Sequence, residues 1–480
     1  MTQGGTPELR PWTWGLGHQY ISLFLSVIFL DGLAQPTLGV GGLGPSLLGA
    51  AVGGVLAFGL LFHPSAMWGL RERKGLSEVL AATFGETGAR RLGGLAFGLA
   101  NIAWFAVGLS LASTYGTKGL LALGMIGPED IAPWDIAGVR LKAPVVLFET
   151  LAWGLFAAVM GTKLVRVVSA VMFTYPVFPG LALAFTLIYT LPNVHGSEVL
   201  PRVMADPGVD ARLVALLAMV QLVCGFCAMP GLMGADWGTI SRDARDVRLG
   251  GLFGIALAAT VLVALSLTII ANTIGPRPGV IETPVSAPAT AEERLAALLG
   301  KGPAPSALPP APAEGDSTFA LALQVGIGGP LGGALLLVFA MGLLGPCAYA
   351  PYHAVRFLGP LVPKAGRMAL GIAGAVVAWP LVALGTVDRT DQVFGLMGAI
   401  FGPIAGVVAA AAIRSRASES GFSVGGWRWS AVIAWGTGLV VGLLPTIGLK
   451  AAQPATLLAW GVAFGVELVL SRTPLFKGRR

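Results

Sequence analysis

Charge is what this chain is short of. Only 11% of its 480 residues are Asp, Glu, Lys or Arg, 55% are hydrophobic, and mean hydropathy is +0.78. No soluble domain with an ordinary polar surface can be built from that composition. Cysteine is equally scarce: Cys224, Cys227 and Cys347 all fall in or beside apolar stretches, so no disulfide framework is implied. Cys224 and Cys227 form a C-x-x-C without a second pair or a histidine partner, and close packing of helices explains it better than metal or redox chemistry. The four histidines, His18, His63, His195 and His353, are scattered, and the chain has no glycine-rich phosphate loop, G-x-S-x-G or H-E-x-x-H. With no paired catalytic groups converging on any apolar stretch, neither an enzyme nor a bound cofactor or metal is expected. The net charge of +7 is spread over many short loops and makes no nucleic-acid patch.

What the chain has instead is apolar length. A helix needs about 20 apolar residues to cross a bilayer. Twelve stretches qualify, near 17–38, 43–63, 92–115, 143–161, 167–190, 210–236, 249–273, 317–345, 368–386, 393–413, 428–447 and 455–472. With the N-terminus placed in the cytoplasm, 21 of the 31 Lys and Arg residues fall on the inside, so both termini are expected there, in a multi-pass protein of the inner (plasma) membrane that contacts anionic lipid. The first 16 residues are polar and carry no cleavage pattern, so the first span is expected to be retained. Residues 275–316, rich in Pro, Ala, Gly and Glu, read as a flexible outer connection with a short helix over 291–299, and an amphipathic helix is expected around 76–84.

Two spans are interrupted by glycine and proline beside an acid: Asp31-Gly32-Leu33-Ala34-Gln35-Pro36 in the first, and Phe226-Cys227-Ala228-Met229-Pro230-Gly231 leading to Asp236 in the sixth. Lipid cannot hydrogen-bond a backbone that leaves the helix, so a broken span needs protein or a water-filled cavity beside it. Paired breaks in two halves point to a transporter's binding site. Asp31, deep in the first span, reads either as a proton or ligand site at the break or as a cap on the following half-helix. Gln35 offers an amide at the same depth. In the third span Asn101 and Trp104 stand three residues apart and share a helix face, where an amide beside an aromatic wall suits a flat, hydrogen-bonding heterocycle or, equally, a packed core. Phe226 and Cys227 sit at the sixth-span break. Asp236 and Arg242, in a densely charged exit from that span, read as a cytoplasmic gate. Glu149 and Glu467 are lone acids in spans, expected to hydrogen-bond between helices.

Three stretches then carry a resemblance: Gly75-Leu76-Ser77 with Phe84-Gly85 and Gly88; Ala235-Asp236-Trp237 with Ser241-Arg242; and Gly402-Pro403-Ile404-Ala405-Gly406-Val407. Together they resemble nucleobase:cation symporter family 1, the purine and cytosine permeases and their hydantoin and allantoin relatives, within the amino acid/polyamine/organocation superfamily. The resemblance implies an all-α fold of about twelve transmembrane helices, a five-plus-five inverted repeat with broken spans one and six. It implies a first repeat over 17–190, a second over 210–413, two additional helices over 428–472 and a cytoplasmic tail at 473–480. It also implies a small-molecule substrate sandwiched by aromatics of the third and sixth spans, matched by Trp104 and Phe226, with Asn101 as the amide and Gln35 as the polar contact from the first span. The chain departs from the family at Ala410, Ala411 and Ala412, and at Phe339–Cys347, where neither the hydroxyls of a sodium site nor a base-reading Asn occurs. Sodium coupling is therefore not expected, and Asp31 offers a proton site in its place. An amino-acid or other organocation transporter of the same superfamily, and a membrane sensor or structural protein that no longer transports, are the rival readings.

Overall fold

The structure is a computed structural model that describes residues 9–13, 42–174, 177–191, 211–274, 320, 323, 327–417, 426–449 and 453–473. The first span with Asp31 and Gln35, the connection 275–316 and the tail 474–480 lie outside the described residues. Eight described helices are long and apolar enough to cross a membrane, and three shorter apolar ones, Phe178–Thr190, Arg367–Ala383 and Ala455–Leu470, take the remaining expected places. Every expected span but the undescribed first thus has its helix, and the chain is a multi-pass membrane protein.

In chain order the elements are α1 (Leu43–Glu72), α2 (Leu76–Phe84), α3 (Glu86–Ala122), the hairpin β1 (Trp134–Ile136) and β2 (Val139–Leu141), α4 (Pro144–Lys163), α5 (Val165–Thr174), α6 (Val177–Thr190), α7 (Ala211–Leu232), α8 (Gly234–Ile240), α9 (Ala244–Ala271), α10 (Gly329–Gly342), α11 (Leu344–Leu358), α12 (Arg367–Ala383), α13 (Thr390–Ala417), α14 (Trp429–Leu443) and α15 (Ala455–Leu470). The amphipathic α2 forms where expected because Gly75 and Glu78 cap it reciprocally: the Glu78 carboxylate accepts from the Gly75 N–H at 2.9 Å, and the Gly75 carbonyl accepts from the Glu78 N–H at 3.1 Å.

Two helix groups emerge from the packing. In one, α1 lies against α7, α8 and α9; in the other, α3, α4, α10, α11 and α12 pack on one another. The helix α13 bridges from α7 to the outlying pair α14 and α15. Small residues make the close crossings: a Cβ on Gly69 would collide with the Ala235 carbonyl, and one on Gly238 with the Ala66 carbonyl, so α1 and α8 approach backbone to backbone. The Gly402-Pro403-x-x-Gly406 stretch does the same for α13 against Thr456 and Trp460 of α15.

Two boundaries differ from expectation. The sixth span does not unwind at Phe226–Gly231. The chain stays helical to Leu232, with Pro230 inside the helix, and the interruption comes at Met233 before α8 begins. A proline costs a helix one hydrogen bond, and here the helix continues past it to Leu232, with the Met233 N–H still donating to the Met229 carbonyl at 3.2 Å. The eighth span, expected at 317–345, instead runs as α10 and α11 with a one-residue interruption at Leu343 and a short turn to Leu361. Its far end therefore carries Arg356 into the protein, where a cytoplasmic loop was expected.

Candidate functional site

The site grows from side chains on α3 and α7 that meet each other. On α3, Asn101 and Trp104 stand one turn apart, and on α7, Phe226 and Met229 do the same. Trp104 meets Phe226 edge-on at 5.3 Å between ring centroids, while the Asn101 amide touches the Met229 sulfur at 4.0 Å. A third ring completes the cluster: Phe394 of α13 lies 5.5 Å from both Trp104 and Phe226. The backbone fits it there because Gly225 has no side chain to strike the Phe394 carbonyl. Three rings from three helices thus converge on one point between the helix groups, with Cys227 buried beside Phe226 on α7.

The polar groups at this point are incompletely used. Asn101 is 3% exposed and donates to the Phe97 carbonyl at 2.7 Å, one turn back along its own helix. The Trp104 Nε1–H is buried and has no hydrogen-bond partner among the described residues. A buried indole N–H nearly always finds an acceptor, so one without a partner among the described residues sets this position apart.

Farther along the α7–α8 rod, about 15 Å from Phe226 at helical rise, the charges of the sixth-span exit are drawn together. The Asp236 carboxylate accepts from Arg356 Nη1 at 2.6 Å and Nη2 at 2.8 Å, and from the Leu76 N–H at 2.8 Å. One side chain thereby ties α8 to α11 and to the start of α2. Arg242 acts more locally, pairing with Asp246 at 2.7 and 3.2 Å at the start of α9, where the Trp12 N–H also donates to Asp246 at 3.2 Å. Arg73 binds the Thr239 and Ser241 carbonyls at 3.1 and 2.6 Å, and the Arg10 N–H donates to the Ile240 carbonyl at 2.8 Å. At the opposite face Lys142, just before α4, bonds Asp388, just before α13, at 2.8 Å and the Ser110 hydroxyl of α3 at 2.7 Å; both ion-pair partners are about 15% exposed. Asp388 precedes Phe394 on the same segment, so this pair anchors the end of the helix that carries the third ring.

Asn101, Trp104, Phe226 and Cys227 are therefore brought to one region, and Asp236 and Arg242 to another, while Asp31 and Gln35 lie outside the described residues. Phe394, Met229, Arg356 and the Lys142–Asp388 pair were not anticipated. Lone opposite charges flanking the fourth and tenth spans were the available hint for that pair; nothing local marks Phe394.

Solved structures supply the comparison. Mhp1, a nucleobase-cation-symport-1 family transporter in a closed conformation with bromovinylhydantoin bound, superposes over 100% of this chain and 98% of its own at 13% identity and a TM-score of 0.61. Its inward-facing conformation does so over 100% and 96% at 14% identity and 0.65. The fold is that of Mhp1. A Na+-coupled sialic acid symporter in a substrate-bound outward-open state matches over 97% and 90% of the two chains, at 11% identity and 0.60. No family model matches the chain, and no curated protein does. The architecture is accordingly the LeuT-like five-plus-five fold shared by Mhp1 and that symporter, with α7 and α8 as its interrupted sixth span.

Proposed function

We propose that this chain is a secondary transporter that moves a small, planar, polar solute, a nucleobase or related heterocycle, across the plasma membrane by alternating access. The observation that carries the reading is the Trp104 Nε1–H, without a partner among the described residues, at the meeting point of Trp104, Phe226 and Phe394. Flat aromatic walls stack a flat ring, and an N–H with no acceptor asks for one from the solute. The printed description of Mhp1 as a nucleobase-cation symporter with a hydantoin bound supports the same class. Asn101 would orient the ring, Gln35 would add a contact from the first span, and Cys227 would line the site beside Phe226.

Alternating access needs a barrier at each face, and three ion pairs are available to serve. Asp236–Arg356, with the Arg242–Asp246 pair beside it, would close the cytoplasmic side; Lys142–Asp388 would hold the outer end of α13 with its ring. Coupling is assigned to a proton at Asp31, because the eighth-span stretch Phe339–Cys347 offers no hydroxyl for sodium. Uptake into proteoliposomes tests the reading: a nucleobase or hydantoin accumulates in response to a proton gradient and Trp104→Ala abolishes it, whereas accumulation of an amino acid, with no effect of Trp104→Ala, would replace it.

A further inference from the structure

Six cations stand at the end of the molecule that carries the Asp236–Arg356 pair, yet take no part in it. They are Arg90 and Arg91 in the first turns of α3, Lys163 and Arg166 where α4 gives way to α5, Lys364 in the turn after α11, and Arg367 at the start of α12. All six are exposed, and none makes a hydrogen bond or an ion pair among the described residues. Arg73, Arg242 and Arg356 on the same face differ in this, since the guanidinium of each is bonded to protein.

The ends that carry the six are neighbours. Gly94 and Gly98 of α3 leave room for Leu361 and Leu358, which seats the turn after α11 against the start of α3. The Thr162 hydroxyl of α4 lies 3.8 Å from the Met368 sulfur, and a methyl group at Gly371 would stand 2.7 Å from the Thr162 methyl, so the end of α4 lies beside the start of α12. The cations thus follow one rim, from α3 through the turn and α12 to α4 and α5. Of the carboxylates on these elements, Glu86 stands on the rim and Glu149 lies in the second turn of α4, toward its other end.

A face washed by water interleaves acids with bases. This rim interleaves bases with bare aliphatic side chains instead: Leu164, Val167 and Val362, next to the cations in the chain, are all exposed. On α3, Arg91, Leu95 and Leu99 follow at four-residue spacing and share a helix face, with Leu95 48% and Leu99 58% exposed. A charge at the head of an open apolar stripe on a membrane helix has the layout of a phospholipid, phosphate at one end and acyl chain along the other. Arginine suits the phosphate further, because its guanidinium can hold two oxygens at once.

We propose that this rim binds anionic phospholipid, with the headgroup phosphates held by Arg90, Arg91, Lys364 and Arg367 and continuing to Lys163 and Arg166, and with an acyl chain lying along Leu95 and Leu99. Composition accounts only for a general attraction of anionic lipid; the arrangement on the rim assigns it a place, and that place stands whatever solute the protein carries. Native mass spectrometry of the purified, delipidated full-length protein, titrated with phosphatidylglycerol or phosphatidylcholine, tests it. Wild type is expected to retain phosphatidylglycerol in preference, and Arg90→Gln/Arg91→Gln/Lys364→Gln/Arg367→Gln to lower that affinity by about tenfold or more. Either pair of substitutions alone supplies the readout should the fourfold variant fail to fold. Arg472→Gln/Lys477→Gln/Arg479→Gln/Arg480→Gln removes the same charge from the C-terminal segment and is expected to leave the affinity near wild type, as is an excess of inorganic phosphate. Equal retention of the two lipids by wild type, an equal loss in the C-terminal variant, or displacement by phosphate would overturn the proposal; the second would mean that net charge alone attracts the lipid, and the third that the rim takes a small anion.

Discussion

Replacing Trp104 by Phe separates what the indole N–H does from what its ring does. That N–H is buried without an acceptor among the described residues, a defect of about 1–3 kcal/mol that the substitution removes. The smaller ring gives up part of the contact with Phe226 at 5.3 Å and Phe394 at 5.5 Å, a loss of roughly 1–2 kcal/mol by burial. The two effects nearly cancel, so the stability of solute-free Trp104→Phe is expected to lie within about 1 kcal/mol of wild type. Trp104→Ala loses the whole ring and with it about 3–5 kcal/mol. Solute affinity behaves differently: without the donor, the acceptor of a bound heterocycle stays unpaired, which weakens binding by about tenfold, or about 1.4 kcal/mol. Thermal unfolding of both variants, without solute and over a titration of it, reads both quantities. A Trp104→Phe protein as unstable as Trp104→Ala, or one that binds solute as tightly as wild type, would refute the idea that this N–H is kept for the solute.

Other expectations follow from the ion pairs. Asp236→Asn and Arg356→Met, alone and combined, are expected to show a coupling of about 1–3 kcal/mol in unfolding, because the contact is two-pronged and partly buried; additive effects would remove Arg356 from the proposed gate. Glu467 of α15 is fully buried and lies 2.6 Å from Arg414, so Glu467→Gln strands a buried arginine and is expected to cost about 3 kcal/mol, with much of it regained in the Glu467→Gln/Arg414→Met double variant. Failure of the second change to rescue, measured by thermal unfolding, would mean that the pair is not what holds α13 to α15. Lys142→Met is expected to cost about 1 kcal/mol of stability, in keeping with an ion pair near the surface, yet to weaken solute binding several-fold by freeing the segment from Asp388 to Phe394; unchanged binding would contradict the anchoring role.

Most of the fold was legible because membrane insertion enforces it: twenty apolar residues in a row are hard to use otherwise, and the described helices fall where such runs occur. The interruptions were less legible. Pro230-Gly231 looked like a break, but a proline in a membrane helix forfeits only one hydrogen bond, and the chain stays helical to Leu232 before turning at Met233. The eighth span was misplaced because Arg356 looked like a loop residue; paired with Asp236, it is tolerated within the helix. Of the site, Asn101, Trp104 and Phe226 could be found by helical spacing and by the resemblance. Phe394 could not, since its position beside them depends on how α13 crosses α7, and Gly225 reveals that crossing only once the helices are packed.

The measurement that tests the central claim most directly is counterflow of a labelled nucleobase or hydantoin in proteoliposomes, compared among wild type, Trp104→Ala and Phe394→Ala. Rapid exchange by wild type and little by either variant is expected, because both rings line the proposed solute site. Exchange that persists in both variants, or no exchange of any planar heterocycle by a well-folded wild type, would contradict a solute site where α3, α7 and α13 meet.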